Sequence, residues 1–194
     1  MRERLIDATE QVMRRNGPQN VRMDAVARLA GCSRATVYRH VADKDELVRE
    51  VLVRLARARA RQLAPGLARF TDPGERIAEG VYRTVEAVRG EWWYRALARQ
   101  GATAAVARIG GGPGAFVALV APLVQPAIER LAAAGKLRPG ITLEDATEWL
   151  CIAATGLLAT APEAPGAGVL PGRTREEQIA FLRRFVADAL VRRE

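Results

Sequence analysis

The sequence predicts an all-α fold, and three observations support this prediction. Alanine, leucine, valine and arginine dominate the 194 residues, a composition that suits helices. The alternation of apolar and polar residues that marks a half-buried strand is nearly absent. Signals for helix starts and helix ends instead follow one another along the chain. An apolar fraction of 49% is enough to fill a packed core.

The first helix is predicted over about residues 3–15, and Gly17-Pro18 ends it. One face of this segment has the apolar spacing of an amphipathic helix. The residues of this buried stripe are Leu5, Ile6, Thr9, Val12 and Met13.

Two short helices follow, over about 24–30 and 34–41, and a tight turn joins them. Gly31 ends the first helix, because glycine tolerates the left-handed backbone that a helix C-terminus needs. Ser33 is placed to cap the second helix with its side-chain oxygen. Residues 24–43 therefore have the pattern of a helix–turn–helix.

The fourth helix opens with a capping box of Asp43 and Glu46. It runs to about residue 63, where Pro65-Gly66 ends it. A helix of about 20 residues is about 30 Å long. That length is enough to couple the N-terminal helices to a separate body.

Start signals predict five more helices in the rest of the chain. The glycine-rich segment 110–114 is expected to be a flexible connection, and 162–172 a mobile loop. The first three of these helices are expected over about 73–88 after the cap Asp72, from Glu91 to about 100, and over about 115–134 with a bend at Pro122 or Pro126. The last two are expected from Thr142 with Asp145 to about 160, and over about 175–192 after a capping box of Thr174 and Glu177.

The net charge of +8 is concentrated at the N-terminus. Residues 1–64 hold 14 Lys and Arg against 8 Asp and Glu, whereas residues 65–194 hold 16 against 14. A basic surface drives phosphate binding through counterion release. The alternative is an arginine-rich protein whose charges are only solvated.

The second helix of the helix–turn–helix presents polar side chains on one face: Arg34, Thr36, Arg39 and His40 are exposed, and Val37 is available for burial. A helix–turn–helix places its second helix in the DNA major groove. The pattern therefore favours a DNA-binding protein, and its alternative is an ordinary helical corner with solvated arginines.

Four short segments of the N-terminal region form a specific pattern: Val26-Ala27, residues 30–33 (AGCS), residues 36–41 (TVYRHV) and residues 44–47 (KDEL). Through these residues the stretch from about Leu5 to Leu52 resembles the DNA-binding domain of the TetR family of bacterial transcriptional regulators. Two positions depart from it: Val41 stands where many members carry Phe, and Arg22 where many carry a capping Thr. Either Arg22 contacts a phosphate instead, or Asp24 supplies an acidic first turn.

The resemblance implies an N-terminal DNA-binding domain over 1–46 and a helical ligand-binding and dimerisation domain over 47–194. It also implies a homodimer that represses transcription from a palindromic double-stranded DNA operator until a small-molecule effector releases it. Arg34 is the expected guanine reader, whereas Tyr38, His40 and Lys44 match positions that contact phosphate. For Tyr38 the alternative is core packing beneath the first helix. The full set of implied DNA contacts is Arg22, Arg34, Ala35, Thr36, Tyr38, Arg39, His40 and Lys44.

Bulky residues of the later helices are candidates for the lining of an effector cavity, because helical bundles bind small molecules between their helices. Few buried polar groups accompany them, so a hydrophobic or aromatic effector is expected. The alternative is that they are plain core. The candidates are Tyr82, Trp92, Trp93, Phe116, Leu119 and Trp149.

The last two helices are unusually apolar, and the resemblance implies that they form a four-helix dimer interface. Two-fold symmetry also suits two DNA half-sites about one helical turn apart. The alternative is that a single chain buries these residues in its own core. The interface candidates are Leu150, Ala153, Ala154, Leu157, Leu158, Ile179, Leu182, Phe185, Val186 and Ala189.

The sequence offers no pattern for an enzyme, a metal or a cofactor: His40 is the single histidine, and the two cysteines are far apart. No apolar run reaches the roughly 18–20 residues of a membrane span, and the charged N-terminus is unlike a signal peptide. We therefore expect a cytoplasmic, non-enzymatic regulator without a membrane partner. Two alternatives stay open, namely a regulator or activator without a small-molecule inducer, and a helical carrier of hydrophobic ligands.

Overall fold

A computed structural model of the chain describes residues 1–98, 113–160 and 169–192. Within these ranges it is helical and contains no β-strand, apart from one isolated antiparallel bridge between Leu137 and Val191. The predicted all-α class is confirmed. The chain forms two compact units: unit 1 comprises Met1–Leu55 and Glu91–Leu119, and unit 2 comprises Ala56–Gly90 and Val120–Glu194.

Unit 1 begins with α1 (Arg2–Asn16), a 3₁₀ turn (Pro18–Asn20), α2 (Met23–Leu29) and α3 (Arg34–Tyr38). The predicted bounds of α1 and α2 are correct to one residue. α3 ends three residues earlier than predicted, because the backbone N–H of His40 donates to the carbonyl of Val37 and tightens the last turn. The stripe predicted on α1 is buried against the other helices of unit 1.

Helix α4 (Lys44–Ala68) begins in unit 1 and ends in unit 2. The prediction that Pro65 ends this helix near residue 63 is wrong, since the helix continues through Pro65 for three more residues. Pro65 is exposed, so water can hydrate the carbonyl that loses its partner, and Leu67 beyond it is buried. Burying a leucine contributes about 1.5–3 kcal/mol, which offsets most of the roughly 3 kcal/mol cost of an internal proline.

Three further helices agree with the predicted bounds to within two residues wherever the structure describes them. They are α5 (Pro73–Gly90), α6 (Trp92–Ala98) and α7 (Pro113–Ala133). The helix α7 runs through Pro122 and Pro126. The predicted end of α6 at about 100, and residues 110–112 of the predicted flexible connection, lie outside the described residues.

The last two helices are α8 (Leu143–Thr160) and α9 (Arg175–Leu182), and a π-helical turn (Arg183–Ala187) continues α9. The prediction of a regular helix to residue 192 is wrong. After the wide turn, the backbone N–H of Arg138 donates to Leu190 and that of Arg192 to Lys136. These two bonds pair the end of the chain with the turn after α7 and satisfy backbone groups on both segments. Most of the predicted loop at 162–172 lies outside the described residues.

The predicted helix starts are confirmed in their hydrogen bonds. Ser33 Oγ accepts from the N–H of Thr36 at 3.1 Å, and Thr174 and Glu177 form a complete capping box. Asp72 caps α5, and Thr142 and Asp145 cap α8 reciprocally. At α4, Asp43 accepts from the N–H of Glu46 as predicted, but Glu46 in turn accepts from the N–H of Ala42.

Within the described parts of the chain, none of the helices combines the length and the apolar character needed to cross a membrane.

Candidate nucleic-acid interface

Helix α3 is anchored by one residue and presents the rest of its surface to solvent. Val37 is completely buried, whereas Arg34, Ala35 and Arg39 are exposed and Thr36 is half-buried. Gly31, at φ +63°, provides the left-handed backbone that turns the chain between α2 and α3. The local sequence thus fixes the start of a short helix whose outer face is polar.

Arg34 is oriented by two neighbours on this surface. Its Nη1 lies 3.3 Å from Asp24 Oδ1, and its guanidinium lies over the Tyr38 ring at 5.6 Å from the centroid. The Tyr38 hydroxyl and the Asp24 carboxylate both raise the pKa of Arg34. Asp24 was absent from the contacts implied by the sequence, because only the fold brings the start of α2 beside α3.

Tyr38 is 45% exposed, so the alternative in which its ring packs in the core beneath α1 is wrong. His40 is also exposed and follows directly in the turn after α3. On the same helix Arg39 Nη2 donates to Thr36 Oγ1 at 3.2 Å. Arg34, Tyr38, Arg39 and His40 are thus all exposed on α3 and in the turn after it.

Lys44 is exposed at the first residue of α4. The turn before it is held by Arg2, which donates to the His40 carbonyl at 2.6 Å and pairs with Glu46 and Glu50. The N–H of Ala42 and the guanidinium of Arg2 lower the pKa of Glu46. The start of α1 therefore fixes the segment that carries His40 and Lys44, a role for Arg2 that sequence reasoning missed.

A groove of about 430 Å³ lies beside α2 on unit 1. Arg15, Arg22 and Arg28 line it together with Asp24. Within the chain as the structure describes it, none of these three guanidiniums has a hydrogen-bond or ion-pair partner. Arg22 occupies the cap position of α2 but makes no side-chain capping bond. The groove therefore adds Arg15 and Arg28 to the predicted basic surface. The sequence analysis did not identify these two arginines, because no local pattern marks them.

The predicted effector-binding residues are divided between the two units. In unit 1, the Arg14 guanidinium lies over the Trp92 ring at 5.1 Å, and Trp93 is buried with its ring edge against Tyr94. In unit 2, Arg175 lies over the Tyr82 ring. The side chains of Phe116 and Leu119 lie outside the described part of the chain.

Trp149 lies at the surface of unit 2 and is 37% exposed. Its Nε1 donates to the carbonyl of Val186 at 3.1 Å, which ties α8 to the turn after α9. Unit 2 also contains an apolar crevice of about 40 Å³ lined by residues such as Leu63, Val81 and Leu150. Neither Tyr82 nor Trp149 lines this crevice.

Most of the predicted interface residues of α8 and α9 are buried within the chain itself. They are Leu150, Ala154, Leu157, Leu158, Leu182 and Val186. Ala153, Ile179 and Ala189 are half-buried, and Phe185 is 55% exposed. Ile152, which was not among the predicted residues, is 57% exposed on the face of α8 that also carries Trp149.

Residues 5–51 match the model of bacterial regulatory proteins of the tetR family. An uncharacterised helix–turn–helix transcriptional regulator of Mycobacterium tuberculosis is 31% identical over 87 residues, which are 45% of this chain and 43% of that protein. The chain thus matches less than half the length of this relative.

Solved structures share the fold over nearly the whole chain. The repressor QsdR of R. erythropolis aligns with a TM-score of 0.63 at 20% identity, covering 100% of this chain and 96% of that one. The TetR family repressor AlkX from Dietzia sp., implicated in the biodegradation of n-alkanes, gives 0.62 at 18%, with coverages of 97% and 94%. RolR in complex with resorcinol gives 0.61 at 20%, with coverages of 95% and 86%. The family-model match over residues 5–51 confirms the resemblance seen in the sequence, and the solved structures confirm the fold.

Proposed function

We propose that this chain, whose residues 5–51 form the N-terminal domain of the tetR family of bacterial regulatory proteins, is a transcriptional repressor that a small molecule releases from a palindromic operator. The observation that carries this proposal is the exposed basic surface around α3, where arginines without partners in the described chain adjoin a capped and anchored helix. Such a surface suits a polyanion whose grooves admit a helix.

In the proposed complex, α3 lies in the major groove and Arg34 binds O6 and N7 of a guanine. Asp24 and Tyr38 hold the Arg34 guanidinium before DNA arrives. Ala35 and Thr36 are short enough to touch a thymine methyl group or the backbone, and Arg39 reaches a base or a phosphate.

The remaining contacts set the register of the protein on DNA. Tyr38, His40 and Lys44 contact phosphates on one side of α3. Arg22 contacts phosphates on the other side, and its neighbours Arg15 and Arg28 in the groove beside α2 extend this contact. Counterion release by these arginines makes the affinity depend steeply on salt.

Dimerisation supplies the second reading helix. We assign residues 1–46 to DNA binding and residues 47–194 to effector binding and dimerisation.

Within unit 2 the exposed apolar residues Trp149, Ile152 and Phe185 support an interface on α8 and the turn after α9. Replacing Ile152 with Glu is expected to leave the fold intact and to yield monomers in sedimentation analysis. The two α3 helices of the dimer would then read half-sites about 34–36 Å apart.

The effector acts through its differential affinity for two states of the dimer. A hundredfold loss of operator affinity requires about 2.7 kcal/mol of coupling. The binding of resorcinol by RolR, which shares the fold, supports a small molecule as the effector of this chain as well.

The test measures fluorescence anisotropy of the purified protein on the DNA upstream of its own gene, across a salt series. Binding about a thousandfold tighter than to scrambled DNA is expected. Replacing Arg34 with Gln should remove most of this preference, whereas Arg14→Gln, a change of equal charge at a paired arginine, should not. Equal affinity for both DNAs, together with an empty genome-wide selection of bound fragments, would contradict the proposal and favour a carrier of hydrophobic ligands.

A further inference from the structure

Unit 2 carries an open groove of about 510 Å³ beside the start of α5 and the end of α7. This volume falls within the range of about 300–1,000 Å³ that is usual for small-molecule sites. One wall is apolar and is made by Pro73, Ile77, Ala127 and Leu131. The groove therefore has the size and the wall that the body of a small organic molecule requires.

The charge of the groove is positive. Arg76, Arg130 and Lys136 line it, against one carboxylate, that of Asp72. The Asp72 carboxylate is already engaged, because Arg183 Nη2 lies 3.1 Å from Oδ1 and the same oxygen accepts a backbone N–H at the start of α5. The balance of charge in the groove therefore favours an anion.

Arg130 differs from the other arginine of this groove. Arg76 is held by the carbonyl of Phe70, which accepts from its Nε at 2.7 Å. Arg130 is exposed, and its guanidinium has no hydrogen bond or ion pair with the residues that the structure describes. It also lines the apolar crevice of about 40 Å³, which shares Ile77 and Ala127 with the groove. A guanidinium without a partner in the described part of the chain thus lies where the polar groove and the apolar crevice meet.

We propose that this groove binds a small carboxylic acid with an aromatic or short aliphatic body. The carboxylate pairs with the Arg130 guanidinium in a charge-assisted, bidentate contact, and the body lies on the wall of Ile77, Ala127 and Leu131. The inference rests on the proposed function, because it names the chemical class of the effector. It also replaces the expectation of a purely hydrophobic effector with that of an amphipathic anion.

The experiment compares acids with their amides, which have nearly the same shape but no charge. Benzoate with benzamide and hexanoate with hexanamide are titrated calorimetrically into the full chain without DNA. At least one acid is expected to bind about tenfold more tightly than its amide. Arg130→Gln should reduce this ratio to about one. Arg138→Gln, a change at another exposed arginine of unit 2 that does not line the groove, should leave the ratio unchanged.

If no acid binds more tightly than its amide, or if the preference persists in Arg130→Gln, the inference is overturned. A second measurement adds the preferred acid to the complex with the operator. Release of the operator from the unmodified chain but not from Arg130→Gln supports the acid as effector, whereas an intact complex at saturating acid overturns that role. Failure to bind any operator before the acid is added counts against the proposed function alone, since the calorimetric result is obtained without DNA.

Discussion

Unit 1 and unit 2 each hold a glutamate between two arginines, and the two glutamates differ in burial. In unit 1, Glu10 of α1 pairs with Arg14 one turn later and with Arg54 of α4, at 2.8 and 2.5 Å. In unit 2, Glu79 of α5 pairs with Arg83 one turn later, at 2.8 Å.

The second partner of Glu79 is Arg175 at the first residue of α9, at 2.7 Å. The side chain of Glu79 is 6% exposed and that of Glu10 is 19% exposed. Removing one partner from a buried ion pair is costly, whereas exposed pairs contribute little. The same arrangement of charges should therefore fix α9 to α5 in unit 2 but contribute only marginally to the stability of unit 1.

The largest expected effect comes from removing each carboxylate without changing its size. Glu79→Gln should lower the free energy of unfolding by about 2 kcal/mol, because its two arginines lose their buried counter-charge. Glu10→Gln should cost less than about 1 kcal/mol. Urea denaturation of both variants measures the difference, and equal losses would show that burial does not distinguish the two clusters.

Lowering the pH tests the charge of Glu79 without replacing Arg83 or Arg175. Burial raises the pKa of Glu79, but the hydrogen bonds from Arg83 and Arg175 outweigh it, so the net pKa lies below the ordinary value of 4.5. The charged form therefore stabilises the fold above about pH 4.5, and this stabilisation is lost as the pH falls through the lowered pKa.

The difference in unfolding free energy between the unmodified chain and Glu79→Gln should consequently be constant at neutral pH and shrink below pH 4.5. Chemical denaturation at pH values from 3 to 7 measures this difference. A gap that stays constant down to pH 3 would indicate that the carboxylate contributes through its shape and not through its charge.

Truncating the distant arginine of each cluster should have a smaller effect. Arg175→Gln leaves Glu79 paired with Arg83 but removes the contact of the guanidinium with the Tyr82 ring. A loss of about 1 kcal/mol is expected. Arg54→Gln removes pairs with both Glu10 and Asp7, but these carboxylates are more exposed than Glu79, so it should cost less than half as much. Thermal unfolding followed by circular dichroism compares the two variants. A larger loss in Arg54→Gln would reverse the order that the burial of the carboxylates predicts.

The smallest effect concerns arginines that lie side by side on α1 but differ in pairing. Arg14 is paired with Glu10, whereas Arg15 has no partner in the described chain and lines the groove beside α2. If Arg15 contacts a phosphate, Arg15→Gln should reduce the slope of log affinity against log salt by about 0.9. Arg14→Gln should leave the slope unchanged, and anisotropy titrations at four salt concentrations provide the comparison. Identical slopes in Arg15→Gln and Arg14→Gln would show that Arg15 makes no phosphate contact that Arg14 lacks.

Much of the candidate interface was predictable from local sequence. Ser33, Gly31 and the start of α3 were placed correctly, because caps and glycines act within one turn of the residues that carry them. Asp24 and Arg2 were missed, since their contacts with Arg34 and His40 join residues 10 and 38 positions apart. No local pattern encodes those contacts.

The later helices show the same limit. The apolar spacing of α8 and α9 identified residues that leave the solvent, but it did not distinguish a core within the chain from an interface between chains. The structure buries Leu150 and Leu182 within one chain and leaves Ile152 and Phe185 exposed. Periodicity reports that a face is apolar, and only the packing of neighbouring helices decides what covers it.

The sequence by itself determined the helical class, most helix starts and the helix–turn–helix, because these depend on backbone propensity and on hydrogen bonds between residues a few positions apart. Tertiary structure alone decided that α4 passes through Pro65 and that α9 ends in a wide turn. It also decided which arginines are paired and which are available to a partner. Those outcomes depend on burial and on charges brought together from distant parts of the chain, and such contacts form only when the helices pack.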